Sequence, residues 1–222
     1  MKCEYSVIIT GAGSGTRYGG RNKLLELLAG MPVFMHSVKN LSGFAAKENF
    51  ILTVNEAERV FFESELVKYG YAGKITVING GASRIESVKK AVEAIKLTSG
   101  RVAIHDAARP LADGKLLEKL FTDARVNVIA AQKVVDSIKV CGPDGKITGE
   151  IDRNPLWRAE TPQVFDLEQY RQAMQNAPAD ATDDATIMRH AGFEVYTVKE
   201  ERENLKLTTP DDLIKLEKFF TL

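Results

Sequence analysis

Hydrophobic residues follow two alternating patterns along the chain. Short apolar runs of strand length occupy residues 7–10, 49–54, 74–78, 101–104 and 127–131. Apolar residues between these runs recur every three or four positions, which predicts amphipathic helices. Those helices span residues 33–41, 56–69, 83–96 and 111–124. Strands alternating with helices are typical of a sheet with right-handed crossovers and helices on both faces, so the pattern predicts a Rossmann-like, mostly parallel α/β fold.

The alternation of strands and helices is interrupted at residues 133–154. Apolar residues there alternate with polar ones around Gly142-Pro143-Asp144-Gly145, which predicts a protruding β-hairpin. An isolated two-stranded ribbon is marginally stable, so we expect it to be a dimerisation arm that packs on another subunit. The alternative, a hairpin folded onto its own domain, stays open. Helices at residues 167–174, 183–190 and 210–220 and a strand at 193–198 complete one domain spanning residues 1–222.

Composition narrows the classes of partner. The 222 residues include 30 basic and 30 acidic side chains, so the formal net charge is zero and would not attract nucleic acid or an anionic membrane. Cys3 and Cys141 are far apart and lack metal-ligand spacing, which argues against a disulfide framework and a zinc site. The sequence has no signal-peptide pattern and no stretch of transmembrane length. We therefore expect a cytoplasmic protein in which any specificity for anions is local.

Candidate chemistry begins where the first predicted strand ends. The glycine-rich segment at residues 11–15 allows a sharp turn that brings several backbone N–H groups to one anion, and Arg17 and Lys23 add positive charge. Two further segments also follow predicted strands, Gly80-Gly81 and His105 to Pro110. Because ligands of such folds bind at the carboxyl ends of the strands, we expect all three segments to line one edge of the sheet.

Three familiar phosphate motifs do not fit this glycine-rich turn. The dinucleotide fingerprint requires a glycine where this chain has Thr16 or Tyr18. A P-loop requires Ser or Thr after Gly-Lys, whereas the three Gly-Lys pairs here precede Ile75, Leu116 and Ile147. A short-chain reductase would have a glycine in place of Arg17 and a Tyr followed four residues later by Lys, which this chain lacks. A plain strand-to-helix turn stays open as an interpretation.

An ordered set of motifs nevertheless runs along nearly the whole chain. In chain order these are Gly13-Ser14-Gly15-Thr16-Arg17, Lys23, Gly80-Gly81 with Ser87, His105-Asp106-Ala107-Ala108-Arg109-Pro110, Asp136-Ser137-Ile138-Lys139, Asp152-Arg153-Asn154, Thr161-Pro162-Gln163, Thr182-Asp183-Asp184 and Asn204-Leu205-Lys206-Leu207-Thr208. With these motifs the chain resembles the 2-C-methyl-D-erythritol 4-phosphate cytidylyltransferases and the closely similar ribitol-5-phosphate cytidylyltransferases. The resemblance implies a nucleotidyltransferase domain that transfers a cytidylyl group from CTP to a polyol phosphate.

The resemblance also implies a role for each matching residue. The implied catalytic residues are Arg17, Lys23, Arg153 and Lys206. The implied nucleotide-binding residues are Gly11, Ala12, Gly13, Ser14, Gly15, Gly81, Ser87, Asp106 and Ala107. The acceptor would be held by Arg109, Ser137, Arg153 and Lys206, and Asp106 would bind Mg²⁺ or another divalent cation. The family's arm reaches into the partner's site, which implies a homodimer with arm exchange and shared active sites.

Other interpretations stay open at this point. No residue separates methylerythritol phosphate from ribitol 5-phosphate or another polyol phosphate as the acceptor. An NAD(P)-dependent short-chain reductase and a non-catalytic nucleotide-binding module are more distant alternatives. Plainer interpretations also exist for single residues, namely Asp106 as the cap of the following helix and Lys23 as a solvated surface charge.

Overall fold

The computed structural model describes residues 4–13, 18 and 22–220, and these form an α/β domain with one main sheet. The strands are β1 (Tyr5–Gly11), β2 (Leu27–Leu28), β3 (Met31–Pro32), β4 (Phe50–Val54), β5 (Thr76–Asn79), β6 (Arg101–Asp106), β7 (Val128–Lys133), β8 (Ile138–Cys141), β9 (Ile147–Ile151), β10 (Trp157–Asp166) and β11 (Tyr196–Lys199). The helices are α1 (Val33–Leu41), α2 (Arg59–Lys68), α3 (Arg84–Ala94), α4 (Gly114–Phe121), α5 (Leu167–Gln175), α6 (Asp184–His190) and α7 (Pro210–Glu217).

The main sheet has seven strands in the order β11-β7-β10-β6-β1-β4-β5. Strand β1 pairs in parallel with β4 and β6, β4 with β5, and β7 with β11. Strand β10 lies antiparallel between β6 and β7. The prediction of a mostly parallel sheet is therefore confirmed.

Strand β10 was not predicted from the sequence. Its apolar run is interrupted by Arg158, Glu160 and Pro162, and a proline cannot donate a ladder hydrogen bond. The pairing of β10 with β7 is accordingly irregular between Ala159 and Gln163. Helix α4 also begins later than predicted, at Gly114, because the Asp113 side chain accepts a hydrogen bond from the Leu116 N–H at 2.9 Å and caps the helix there.

Helices cover both faces of the main sheet, as the pattern predicted. Along β1 the side chains of Val7 and Ile9 point into one core, and Ile8 points into the other. The first core includes residues of α1, α2 and α4, and the second includes residues of α3, α5 and α6. This double burial fixes the register of the strands and hence the position of the loops at their carboxyl ends.

In the part of the chain that the structure describes, no helix combines the length and the apolar composition needed to cross a membrane.

Strands β8 and β9 form a separate antiparallel hairpin, so this predicted hairpin is confirmed. Several of its apolar side chains are exposed, with Val140 at 44% and Ile147 at 62%. Exposed apolar residues on a two-stranded ribbon are typical of a surface that packs against something else. Its packing on a second subunit stays a prediction.

Candidate active site

Three loops at the carboxyl edge of the sheet enclose a cleft of about 350 Å³. The loop after β1 contributes Ala12 and Gly13, the loop after β5 contributes Gly81, and the end of β6 contributes Asp106. The expectation that the three sequence segments share one edge is confirmed. Ser14, Gly15 and Arg17 lie outside the described residues.

The two loops that follow β1 and β5 approach each other closely at Gly80. A Cβ at this position would lie 2.3 Å from the Cβ of Ala12 and 2.8 Å from the hydroxyl of Ser87. The next residue, Gly81, donates its N–H to the Ser87 Oγ at 2.9 Å, and Ser87 in turn donates to the Ser83 carbonyl at 2.8 Å. Ser87 therefore holds the loop together as well as lining the cleft.

We expect Gly80→Ala to lower the free energy of unfolding by about 1–3 kcal/mol, because the added methyl group overlaps Ala12 and forces the two loops apart. The same shift should widen the cleft and weaken binding of the nucleotide that the sequence resemblance implies. Gly43→Ala is the matched control, since a Cβ at Gly43 meets nothing within 4 Å. Urea denaturation and calorimetric nucleotide binding check both effects, and equal stability of the two variants would contradict the close contact.

Asp106, at the end of β6, is the centre of the polar contacts in the cleft. Its Oδ2 accepts a hydrogen bond from Lys206 Nζ at 2.5 Å, and its Oδ1 accepts one from Thr10 Oγ1 at 3.2 Å. Arg84 Nε lies 3.5 Å from the same Oδ1 as an ion-pair partner. Burial alone would raise the pKa of Asp106, but the cations Arg84 and Lys206 hold that pKa well below its usual value. Asp106 is therefore ionised, and the interpretation of this residue as the cap of α4 is wrong because Asp113 fills that role.

Lys23 reaches across the cleft to the segment that carries Lys206. Its Nζ donates to the Leu207 carbonyl at 2.5 Å, and the Leu207 N–H donates to the Ala108 carbonyl at 2.8 Å. Asn22 caps the short helical turn Lys23–Leu25, because its side-chain oxygen accepts from the Leu24 N–H at 3.0 Å. The structure thus brings Lys23, Lys206 and Asp106 into one cleft, as predicted.

His105 is fully buried beside Asp106, and both of its ring nitrogens have polar neighbours. Nδ1 lies 3.2 Å from Thr161 Oγ1, and Nε2 lies 3.3 Å from Ser37 Oγ and 3.2 Å from the Arg109 carbonyl. Burial lowers the pKa of His105 from 6.5 to about 4. The ring is therefore neutral at physiological pH, and its contacts link β6 to α1 and β10.

This burial predicts a pH dependence of stability. The unfolded chain gains a proton on His105 near pH 6.5, whereas the folded chain stays neutral down to about pH 4. The free energy of unfolding should therefore rise with pH between these values, by roughly 3 kcal/mol in total from this residue. Urea denaturation across this range and an NMR titration of the His105 ring check the prediction. A ring that titrates at pH 6 or above would contradict it.

The predicted acceptor-binding residues fall into two places. Arg109 lies next to the cleft, where its Nη1 donates to the Asn204 carbonyl at 2.6 Å. Ser137 and Arg153 lie on the arm, where both are exposed and Arg153 donates to the Val135 carbonyl. These two residues do not line the cleft of their own chain. Ala107 is fully buried behind the cleft, and its N–H donates to the Thr10 carbonyl at 3.1 Å.

Sequence reasoning missed one cation of the cleft, Arg84. It opens α3 shortly after the Gly80-Gly81 turn, lines the cleft and, like Lys206, pairs with Asp106. A basic residue within four positions of a glycine turn was a usable signal. Its partner Asp184 was identified from the sequence only as part of the Thr182-Asp183-Asp184 motif. The ion pair between Arg84 and Asp184 was not predicted, because 100 residues separate the two in the chain.

Comparisons with known proteins agree with this architecture. The model of the 2-C-methyl-D-erythritol 4-phosphate cytidylyltransferase family, IspD, matches residues 5–221. The chain is 37% identical to the Bacillus licheniformis 2-C-methyl-D-erythritol 4-phosphate cytidylyltransferase, over 96% of this chain and 94% of the relative. It is 33% identical to the enzyme of the same name from Syntrophus aciditrophicus, over 99% and 97% of the two chains.

Solved structures show the same fold. A 4-diphosphocytidyl-2C-methyl-D-erythritol synthase from Anaerococcus prevotii superposes with a TM-score of 0.83 at 24% identity, over 99% of each chain. The Francisella tularensis 2-C-methyl-D-erythritol 4-phosphate cytidylyltransferase superposes with a TM-score of 0.79 at 26% identity, over 99% of this chain and all of the other. With a family match over nearly its full length and a polar cleft at the expected strand ends, the chain belongs to the 2-C-methyl-D-erythritol 4-phosphate cytidylyltransferase family.

Proposed function

We propose that this protein transfers CMP from CTP to 2-C-methyl-D-erythritol 4-phosphate, a step of non-mevalonate isoprenoid biosynthesis. A phosphate oxygen of the acceptor forms a bond to the α-phosphorus of CTP. The bond from that phosphorus to the bridging oxygen of the β-phosphate breaks, and pyrophosphate leaves with the electron pair. The observation that carries the proposal is the meeting of Lys23, Lys206 and Asp106 in one cleft of the matched family fold.

Such a displacement requires positioning and charge stabilisation rather than a covalent nucleophile. Lys23 lines the cleft beside the loop after β1, where it would stabilise negative charge on the α-phosphate and the leaving pyrophosphate. Arg17 is proposed to share this task. The loop residues Ala12, Gly13 and Gly81 would cradle the nucleotide with backbone groups. The acceptor phosphate is already ionised, so the reaction does not require a general base.

The acceptor would bind on the side of Asp106 that faces away from the proposed nucleotide position. Lys206 and Arg109 flank this position and carry the charge that a phosphate requires. Ser137 and Arg153 are exposed on the arm of each chain, so we propose that they complete the acceptor site of a second chain. The active form is then a homodimer with arm exchange.

A divalent cation, Mg²⁺ by preference, is proposed as a further requirement. The cleft offers a single described carboxylate, Asp106, and no group of three or more His, Cys, Asp or Glu in the described ranges is placed to hold a metal. This donor set fits Mg²⁺, which is commonly bound by one or two carboxylates together with substrate phosphates. Bound there, the ion would neutralise phosphate charge. Lys23 and Lys206 would still orient the two substrates.

The arm provides a direct test of the dimer. We expect the unaltered protein to sediment with the mass of two chains, and Val140→Asp combined with Ile147→Asp to sediment as one, because each buried aspartate would lose its hydration at the interface. Val60→Asp on α2 is the matched control, since Val60 is 79% exposed on another surface. A single-chain mass of the unaltered protein, or a dimer of the double variant, would contradict the proposal.

The function itself is tested by pyrophosphate release. CTP and Mg²⁺ are supplied with methylerythritol phosphate or with ribitol 5-phosphate in separate reactions. We expect release with methylerythritol phosphate, and turnover of ribitol 5-phosphate alone would assign the alternative acceptor. Binding of CTP without release for either acceptor would indicate a non-catalytic nucleotide-binding module. A rise in the unfolding temperature with NADPH but not with CTP would favour a reductase.

A cytoplasmic location stays part of the proposal. It is supported by the exposed thiol of Cys141, which forms no disulfide with any residue that the structure describes and suits a reducing compartment.

A further inference from the structure

A chain of charged contacts runs from the helix layer under the sheet to Asp106 in the cleft. Tyr170 on α5 donates its hydroxyl to Asp184 Oδ1 at 2.6 Å. Arg84 Nη2 donates to Asp184 Oδ2, also at 2.6 Å, and Arg84 Nε lies 3.5 Å from Asp106 Oδ1. Asp106 Oδ2 then accepts from Lys206. Only the last members of this chain, Asp106 and Lys206, have a role in the proposed reaction.

The far end of this chain is fixed. Asp184 and Tyr170 are both fully buried, and the Tyr170 ring is stacked on Phe165. Helix α6 is anchored at its start, because Asp183 caps it through the Thr186 N–H and Gln163 of β10 accepts from the Ala185 N–H. A buried carboxylate without a cation is strongly unfavourable, so Asp184 holds the Arg84 guanidinium in place.

Arginine suits the position between the two carboxylates. Its planar guanidinium donates from separate nitrogens in fixed directions, whereas a lysine ammonium is a compact charge that cannot replace both contacts in the same geometry. Burial alone would lower the pKa of Arg84, but Asp184 and Asp106 raise it above its usual value. Arg84 therefore remains a permanent positive charge beside Asp106.

The charge balance at Asp106 explains what Arg84 accomplishes. Asp106 is 8% exposed and has two ion-pair partners among the described residues, Lys206 and Arg84. To contact a substrate phosphate, Lys206 must turn away from Asp106, and Arg84 is then the described side-chain cation that remains paired with this buried carboxylate, whether or not the proposed Mg²⁺ has bound. Arg84 cannot follow Lys206, because Asp184 holds it. It continues to neutralise and orient Asp106 while Lys206 moves.

We propose that Arg84 is a positioning residue, which is anchored on Asp184 and Tyr170, holds the Asp106 carboxylate and thereby frees Lys206 for the substrate. This inference rests on the proposed function, since it assigns Lys206 to a substrate phosphate.

A double-mutant cycle tests whether Arg84 acts through Asp106. Arg84→Lys should lower kcat about tenfold and change KM for CTP by less than about threefold, because the ammonium stays with Asp184 and no longer orients Asp106. In the Asp106→Asn background the same change should alter kcat by less than about twofold, measured in single-turnover reactions. Equal, additive losses in both backgrounds would overturn the inference, since a merely structural role does not depend on Asp106.

Arg171→Lys is the matched control. Arg171 lies beside Tyr170 on α5, and its guanidinium also joins two separate groups, the carbonyls of Ile95 and Thr98. Neither carbonyl belongs to the chain of contacts that runs from Tyr170 to Lys206, and we expect kcat to be unchanged. If Arg84→Lys does not fold, Arg84→Gln combined with Asp184→Asn removes the buried charge pair as a unit, and its kcat should fall about tenfold as well.

A second measurement does not depend on turnover. Lysines are labelled by reductive ¹³C-methylation, and the Lys206 signal is identified by its loss in Lys206→Arg. Methylerythritol phosphate, added without CTP or Mg²⁺, should shift this signal in the unaltered protein and move it less than half as far in Arg84→Lys. An equal shift in both proteins would overturn the inference, whereas failure of the proposed function would appear as absence of pyrophosphate release from the unaltered protein.

Discussion

Replacing Lys23 by alanine is expected to lower kcat for CMP transfer by about 10²- to 10³-fold, the loss typical of removing one fixed donor from a developing anion. Lys23 lines the cleft, and its Nζ is held 2.5 Å from the Leu207 carbonyl, so the charge is in place before the substrate binds. Because the side chain is only half-buried at the cleft edge, the free energy of unfolding should change by less than about 1 kcal/mol. Steady-state kinetics and urea denaturation check the two parts.

Lys119→Ala is the control for this variant. Lys119 makes the same kind of contact, donating from Nζ to the Lys199 carbonyl at 2.9 Å, but it lies on α4 away from the cleft. We expect its kcat to equal that of the unaltered protein. If Lys23→Ala keeps full activity, Lys23 has no part in stabilising the transition state.

The second large effect is expected at Lys206. Lys206→Ala should lower kcat/KM for the acceptor by about 10²-fold, because it removes a cation from the position proposed for the acceptor phosphate. The loss should be larger for the acceptor than for CTP, whose triphosphate is also contacted by Lys23 in the proposed arrangement. Steady-state kinetics with each substrate varied in turn check this order.

A surface ion pair provides the comparison. Lys199 pairs with Glu201 at 2.8 Å, but both side chains are more than half exposed, and such pairs contribute little. Lys199→Ala should therefore leave both kinetic constants unchanged. Equal losses in kcat/KM for CTP and acceptor in Lys206→Ala would contradict the placement of Lys206 on the acceptor side.

Local patterns were sufficient for most of the fold. The apolar run of β1 that ends at Gly11 and the apolar periodicity of α3 depend on residues a few positions apart, so both could be predicted from the sequence. The convergence of the loops after β1, β5 and β6 followed from one general rule, that parallel strands end at the same edge. The cleft was predictable for that reason.

Contacts between distant segments were not predictable in this way. Strand β10 enters the sheet antiparallel between β6 and β7. Its polar residues interrupt the apolar run that would predict a strand, and their partners come from elsewhere in the chain. The ion pair of Arg84 with Asp184 joins α3 to α6, and the sequence pattern of either helix does not indicate that it contacts the other. The place of Ser137 and Arg153 depends on a second chain, and a single sequence does not specify that geometry.

The central claim is attack of the acceptor phosphate on the α-phosphorus of CTP. Methylerythritol phosphate carrying ¹⁸O on its phosphate is incubated with CTP, Mg²⁺ and the protein, and the products are examined by mass spectrometry and ³¹P NMR. Attack on the α-phosphorus predicts that all of the label is found in a CDP-methylerythritol product, including its bridging oxygen, and none in pyrophosphate. Label in pyrophosphate, or no diphosphate-linked product, would contradict it.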